Sequence, residues 1–194
     1  MMSAVRELPL VLQLDIAGNP QQWITYEDSA YHTAKGNIGW SMGDVDFDIY
    51  GGINAASGLR SQLSINTIVA IKGHMNDRAM KHYNRVPLTN KTLFRRDQNL
   101  CGYCGDHFPS TRLTRDHIHP TSKGGKNIWM NVIAACASCN KIKGHLTCEQ
   151  AHMPLLFVPY IPNRSEWLIL QNRNILADQM DFLMKRVPKD SRLL

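Results

Sequence analysis

Apolar residues alternate with polar ones in short stretches of the first third of the chain, then fall on helical spacing near its end. Leu8-Pro-Leu-Val-Leu-Gln-Leu14 has period-2 character and predicts a strand. Gly18-Asn19-Pro20 breaks it with a turn. Thr25-Tyr-Glu-Asp28 carries a helix-start pattern with two acids at the positive end, and the helix should run to about Lys35 and stop at Gly36. Val45 to Tyr50 alternates strictly and predicts a half-buried strand ended by Gly51-Gly52. Ser64 to Lys72, with Ile65, Ile68, Val69 and Ile71, predicts a strand closing a small sheet. Further on, Thr147 and Gln150 have capping-box spacing, so a short helix should follow until Pro154. Prolines 154, 159 and 162 make an extended connector. From Asn163 to about Val187 the pattern is helical, with Leu168, Leu176, Met180, Leu183, Met184 and Val187 largely on one stripe. That stripe either packs on its own domain or forms a homodimer contact.

The mixture predicts an α+β protein. At 194 residues it has enough chain for one or two compact units. No run of 18 apolar residues occurs, so no membrane span is expected. The N-terminus lacks a basic start followed by an apolar stretch with a cleavage site, so no signal peptide is expected. The net charge of +6 is unevenly spread. Residues 91–146 hold nine Lys/Arg against three Asp/Glu, while the flanks are nearly balanced. A localised basic field suits a polyanion; a solubilising surface is the plainer alternative. Its candidates are Arg95, Arg96, Arg112, Arg115, Lys123, Lys126, Lys141 and Lys143. Asp44, Asp46 and Asp48 share one strand face, which reads as solvated, with a second metal site as the alternative.

The basic segment also holds the cysteines. Cys101-Gly-Tyr-Cys104 and Cys136-Ala-Ser-Cys139 are two pairs of matched spacing, and four thiolates so arranged can hold one tetrahedral zinc. Disulfide or redox use is the alternative. The gap between pairs exceeds the about 15–20 residues of a simple zinc ribbon, so the intervening segment needs a purpose of its own. It contains Asp116-His117, which a bound zinc would hold out toward a substrate. Cys148 has no nearby partner and reads as an unpaired thiol at or near a helix start. Zinc-type cysteine usage fits a reducing cytoplasm.

The residues Cys101-x-x-Cys104, Asp116-His117-Ile-x-Pro120, Ser122-Lys-Gly-Gly125, Asn127-x-Trp129-x-Asn131, Cys136-x-x-Cys139-Asn140 and Lys143-Gly144 together resemble the HNH endonuclease family, in its four-cysteine zinc variant. The resemblance covers roughly residues 94–150, and Phe94-Arg-Arg-Asp97 resembles the usual lead-in. The His-Asn-His places fall on His117, Asn131 and Asn140, so the third departs from the family name and gives an HNN-type site. The strand and helix patterns on either side give an N-terminal α+β domain over 1–93 and a C-terminal helical extension over 151–194, and the likeness implies a zinc-stabilised ββα-metal module over 94–150. It implies a strand carrying Asp116 and His117, and a helix after the last cysteine carrying Asn140. Asn131 would lie in the loop between and brace the His117 backbone.

Phosphodiester hydrolysis needs a deprotonated water and neutralisation of the charge that develops on the phosphate. His117 suits the general base. Asp116 and Asn140 offer oxygens for a catalytic divalent cation, Mg2+ or another such as Mn2+ or Ni2+, distinct from the structural Zn2+. Arg95, Arg96, Arg115, Lys123, Lys126, Lys141 and Lys143 would contact nucleic acid, most readily DNA. His119 shares a strand face with His117 and is read as structural or as part of the site. Ser122-Lys-Gly-Gly125 is a turn, and Trp129 reads as core. The rival classes are a catalytically silent zinc ribbon that binds nucleic acid or protein, and a redox protein.

Overall fold

The computed structural model describes residues 9–73, 85–172, 174–189 and 191–193; Leu8 of the first predicted strand lies outside them. The chain forms two compact units. One joins the chain up to Arg85 with Arg164–Pro188, and the other consists of Val86–Asn163 with the chain from Lys189 on. The stretch expected as a separate C-terminal extension is thus shared between them.

The first unit is a four-stranded sheet in the order β2-β1-β4-β3, from β1 (Val11–Asp15), β2 (Pro20–Ile24), β3 (Ile38–Ile53) and β4 (Arg60–Ile71). β1 runs parallel to β4, and the other pairings are antiparallel. β1 and the second half of β4 are largely buried, while β4 from Arg60 to Gln62 is polar and exposed. Val11 and Val69 belong to one core cluster with Ile24, Tyr26 and Ile65, against which Ala30 of α1 (Tyr26–Ala34) packs. Leu12, Leu14, Ile68 and Ala70 point the other way and are fully buried. α1 starts and stops where its sequence says. Thr25 and Asp28 form the capping box, and Gly36 takes a φ of +67° just past the end.

Two expectations change. Gly51-Gly52 does not end β3; both residues stay in the strand. The reversal lies at Asn54–Leu59, where the Asn54 side chain accepts from the Ala56 and Ser57 amides and Gly58 adopts a φ of +67°. The single C-terminal helix is two, α4 (Arg164–Gln171) and α5 (Ala177–Met184). Leu168 and Leu183 of the apolar stripe are fully buried within the unit. Gln179, also fully buried, donates at 2.8 Å to the main-chain oxygens of both Leu10 and Thr67, where β1 and β4 meet. Asp46 and Asp48 are exposed acceptors for Asn66 and Ser64, so the acidic face is a solvated one.

The second unit is a hairpin and a helix. β5 (Leu113–His117) pairs antiparallel with β6 (Val132–Cys136), and α3 (Ala137–Lys143) follows β6 directly. α2 (Asn90–Arg96), capped by Thr89 and Thr92, precedes the first cysteine pair. Thr147 and Gln150 do exchange capping hydrogen bonds, but they close one turn rather than a helix. Arg96 holds the unit together from inside. It is fully buried and pairs with Asp97 through Nε at 2.8 Å and Nη2 at 3.1 Å. Its remaining donors reach the main-chain oxygens of Trp129, Val132 and Tyr160, and Asp97 in turn accepts from the Ala134 amide. All of this charge is consumed internally, which removes Arg96 from the nucleic-acid contacts expected of it. Trp129 is core, as its sequence context suggests, and donates to the Val86 oxygen.

Arg96→Ala would leave Asp97 and three carbonyls buried without their partner. The expected cost is about 3–5 kcal/mol, read as a lowered denaturant midpoint for the cysteine-bearing unit. A midpoint shift matching an ordinary surface substitution would show that this network does not hold the unit.

Candidate active site

The two cysteine pairs meet. One sulfur from each of Cys101, Cys104, Cys136 and Cys139 lies within 4.8 Å of every other. A tetrahedral zinc with bonds near 2.3 Å sets its sulfurs about 3.8 Å apart, so the set fits that ion. The main chain already turns around the sulfurs. Gly105 donates to the Cys101 oxygen, Gly102 to the Ala134 oxygen, and the Cys139 amide points at the Cys136 Sγ at 3.4 Å. Burial alone would raise the Cys101 thiol, but main-chain N–H groups of Cys104, Cys136 and Tyr103 outweigh it and hold the group below its ordinary value. Burial pushes Cys104 up to about 11, and raises Cys139 further with help from Cys136 and Cys101. Metal binding must therefore displace protons, and retention should weaken as pH falls.

β5 alternates, and its two faces carry different chemistry. Thr114 and Asp116 face α3. The Asn140 amide donates to the Thr114 Oγ1 at 2.8 Å, and the Lys143 Nζ lies 3.2 and 3.1 Å from the two Asp116 oxygens. Asp116 and Asn140 thus sit on one side of the hairpin. Asp116 is nearly buried, at 5% exposure, and also accepts from the Tyr103 hydroxyl. Burial and the neighbouring Asp116 raise the Tyr103 hydroxyl far above its ordinary range, so it remains a donor. Lys143 is fully buried and donates to the His117 oxygen at 2.7 Å as well. Its charge serves Asp116, so it too is withdrawn from the expected surface contacts. Cys148 is buried beside Tyr103, with Sγ 3.9 Å from the hydroxyl oxygen.

Arg115 and His117 occupy the other face. Both reach Asn127, with Arg115 Nη1 at 2.9 Å and His117 Nε2 at 3.3 Å from its Oδ1. Burial lowers the Arg115 pKa. The long loop between β5 and β6 is held by Asn131. Its side chain donates to the oxygens of His119 and Lys126 and accepts from the His119 amide, while its own oxygen accepts from Ile118. Asn131 therefore fixes the backbone immediately after His117 rather than that of His117 itself. Gly125 closes the loop, and a Cβ there would lie 1.8 Å from the His119 oxygen. His119 turns its ring to the Lys123 oxygen. Of the basic candidates, Lys126 and Lys141 are exposed, Lys123 is exposed and donates to Gln150, and Arg95 and Arg115 are half-buried. Tyr103 and Asn127 were not singled out by sequence. Both lie inside the quoted motifs, but nothing in the sequence says which side chains they meet.

These features meet a known class. Residues 101–156 match the family described as HNH endonuclease, and the four clustered cysteines fit a zinc variant of it. The match supports a nuclease-type function for this segment. No curated protein matches the chain. Among the described residues, no helix is long and apolar enough to cross a membrane.

The purified protein should carry about one zinc per chain, because the four sulfurs satisfy its coordination. Cys101→Ser or Cys139→Ser should lose the metal and unfold this unit. Metal analysis of folded, reduced protein settles the matter, and absence of zinc there would refute the assignment.

Proposed function

We propose that this protein is a metal-dependent endonuclease that hydrolyses nucleic acid phosphodiester bonds, DNA by preference. The observation that carries the reading is the convergence of Asp116 and Asn140 on one side of a strand that also bears His117, in a segment matching the HNH endonuclease family. A carboxylate and a carboxamide offer hard oxygens, which suit Mg2+ or Mn2+, with Ni2+ as a further candidate. A divalent cation held there would supply charge neutralisation at the scissile phosphate. Binding requires Asp116 to share a carboxylate that Lys143 and Tyr103 now engage.

The chain's own residues divide the rest. His117 takes the proton from the attacking water as general base. Arg115, Lys123, Lys126, Lys141 and Arg95 hold the nucleic acid backbone. Asn131 keeps the loop that follows His117 in place. Four thiolates suit a reducing compartment such as the cytoplasm. One such site cuts one strand. A double-strand cut needs a second visit or a second copy, and a homodimer through α4 and α5 has only half-buried residues such as Met180 and Met184 left to use; a monomeric mass in solution would dismiss it. The second reading, a silent nucleic-acid-binding zinc module, is supported by the exposed lysines but gives no use to Asp116, His117 and Asn140 together.

His117→Ala should slow cleavage by about 10²–10⁴-fold while zinc content and DNA binding persist. Asp116→Asn, which keeps the side chain's size beside Lys143, should weaken Mn2+ binding measured by calorimetry, with partial rescue at excess metal. Undiminished cutting by His117→Ala, in a preparation free of contaminating nuclease, would transfer the case to the binding module.

Affinity for DNA should fall steeply with salt. Replacing Arg115, Lys123, Lys126 and Lys141 together should flatten the slope of log K against log salt by about 0.9 for each phosphate no longer neutralised. An unchanged slope would move the binding surface elsewhere.

A further inference from the structure

The face of β5 opposite α3 carries a short chain of hydrogen bonds with one consistent set of protons. Arg115 and His117 are two residues apart on that face, and the same oxygen of Asn127 serves both. A guanidinium has donors only, so the Asn127 atom opposite Arg115 Nη1 must be the carboxamide oxygen. Turning the amide over would set its NH2 against a donor. That oxygen cannot donate, so the His117 Nε2 facing it must carry a hydrogen. In a neutral imidazole the lone pair then belongs to Nδ1. No other described side chain orients the ring. Lys143 reaches only the His117 main-chain oxygen, and the buried Arg115 Nε has no partner. Asn127 itself is exposed rather than in the core.

We propose that Asn127 is a positioning residue for the reaction: oriented by Arg115, it locks His117 in the Nε2–H tautomer and makes Nδ1 the atom that accepts the proton from water. The inference rests on the reading of His117 as general base. In the step, the water O–H bond breaks as the Nδ1–H bond forms. The oxygen's electron pair goes to phosphorus, and the bond to the leaving oxygen breaks with its electrons on that oxygen, which takes a proton from solvent. The ring is then an imidazolium with two N–H donors, and Nε2–H still donates to Asn127. The hydrogen bond therefore survives the proton transfer, which is what a guide for a general base requires.

The test is long-range nitrogen–proton NMR on the zinc-loaded full chain with labelled histidine, at a pH where imidazole is neutral. The His117 signals are assigned by their loss in His117→Ala. The parent protein should show Nε2–H at His117. Asn127→Ala should give a mixture of tautomers, and Asn127→Asp, which keeps an acceptor oxygen, should restore Nε2–H. Arg115→Met should also give a mixture although Asn127 and His117 are both intact, because the amide is then free to turn over; a merely structural Arg115 would not do this. Cleavage by Asn127→Ala should fall by roughly tenfold in kcat with KM little changed, a fraction of the 10²–10⁴ that a whole positioned base supplies. Nδ1–H in the parent, or an unaltered Nε2–H in both Asn127→Ala and Arg115→Met, would overturn the proposal even if His117→Ala abolishes cleavage. If instead the tautomers behave as stated but His117→Ala cuts at the parental rate, the reading of His117 as the base fails and the proposal fails with it.

Discussion

A strand can show each side chain to one face only, and the site depends on that constraint in β5. Thr114 and Asp116 go to the helix side, Arg115 and His117 to the other. The proposed metal-holding oxygens and the proposed base are adjacent in sequence yet look in different directions. A one-residue slip of β5 against β6 would exchange the two faces. The register, Asp116 opposite Ile133 and His117 opposite Val132, is pinned by a β6 whose five residues are all buried and by Asp97, which takes the Ala134 amide at 2.8 Å.

The cysteine cluster reaches the same strand from the other end. Tyr103 stands inside the first Cys-x-x-Cys pair and gives its hydroxyl to Asp116. β6 ends on Cys136, and α3, with Asn140 and Lys143, begins at the next residue. The zinc ligands and the proposed catalytic side chains are thus neighbours on the same short elements. A metal that closes the sulfurs would fix where Tyr103, Asn140 and Lys143 meet β5. Folding of this unit and the shape of its site are one problem.

Local chemistry was the legible part. Thr25 with Asp28 and Gly36 bounded a helix correctly, because caps depend on nearby backbone groups. Each Cys-x-x-Cys pair is likewise a local pattern, and the two pairs of matched spacing announce a metal-binding cluster although they are far apart in sequence. Gly51-Gly52 misled because glycine tolerates an extended strand as well as a turn, whereas Asn54 and Gly58 satisfy the turn itself. Arg96 and Lys143 look like surface charges in the sequence, since sequence records a charge but not its burial; each answers an acid that only the folded chain brings into place or holds buried. Tyr103 and Asn127 were silent because their partners lie 13, 12 and 10 residues away across a turn or loop. Asp116, His117 and Asn140 stood out only through the combined motif.

The most direct measurement is cleavage of supercoiled DNA by the purified, zinc-loaded protein, with Mg2+ or Mn2+ present and then removed by a chelator too weak to take the zinc. Nicking should appear with the added cation and stop on its removal while the zinc stays bound. A folded, zinc-loaded protein that binds the same DNA and leaves it intact under both conditions would contradict the assignment of a metal-dependent nuclease.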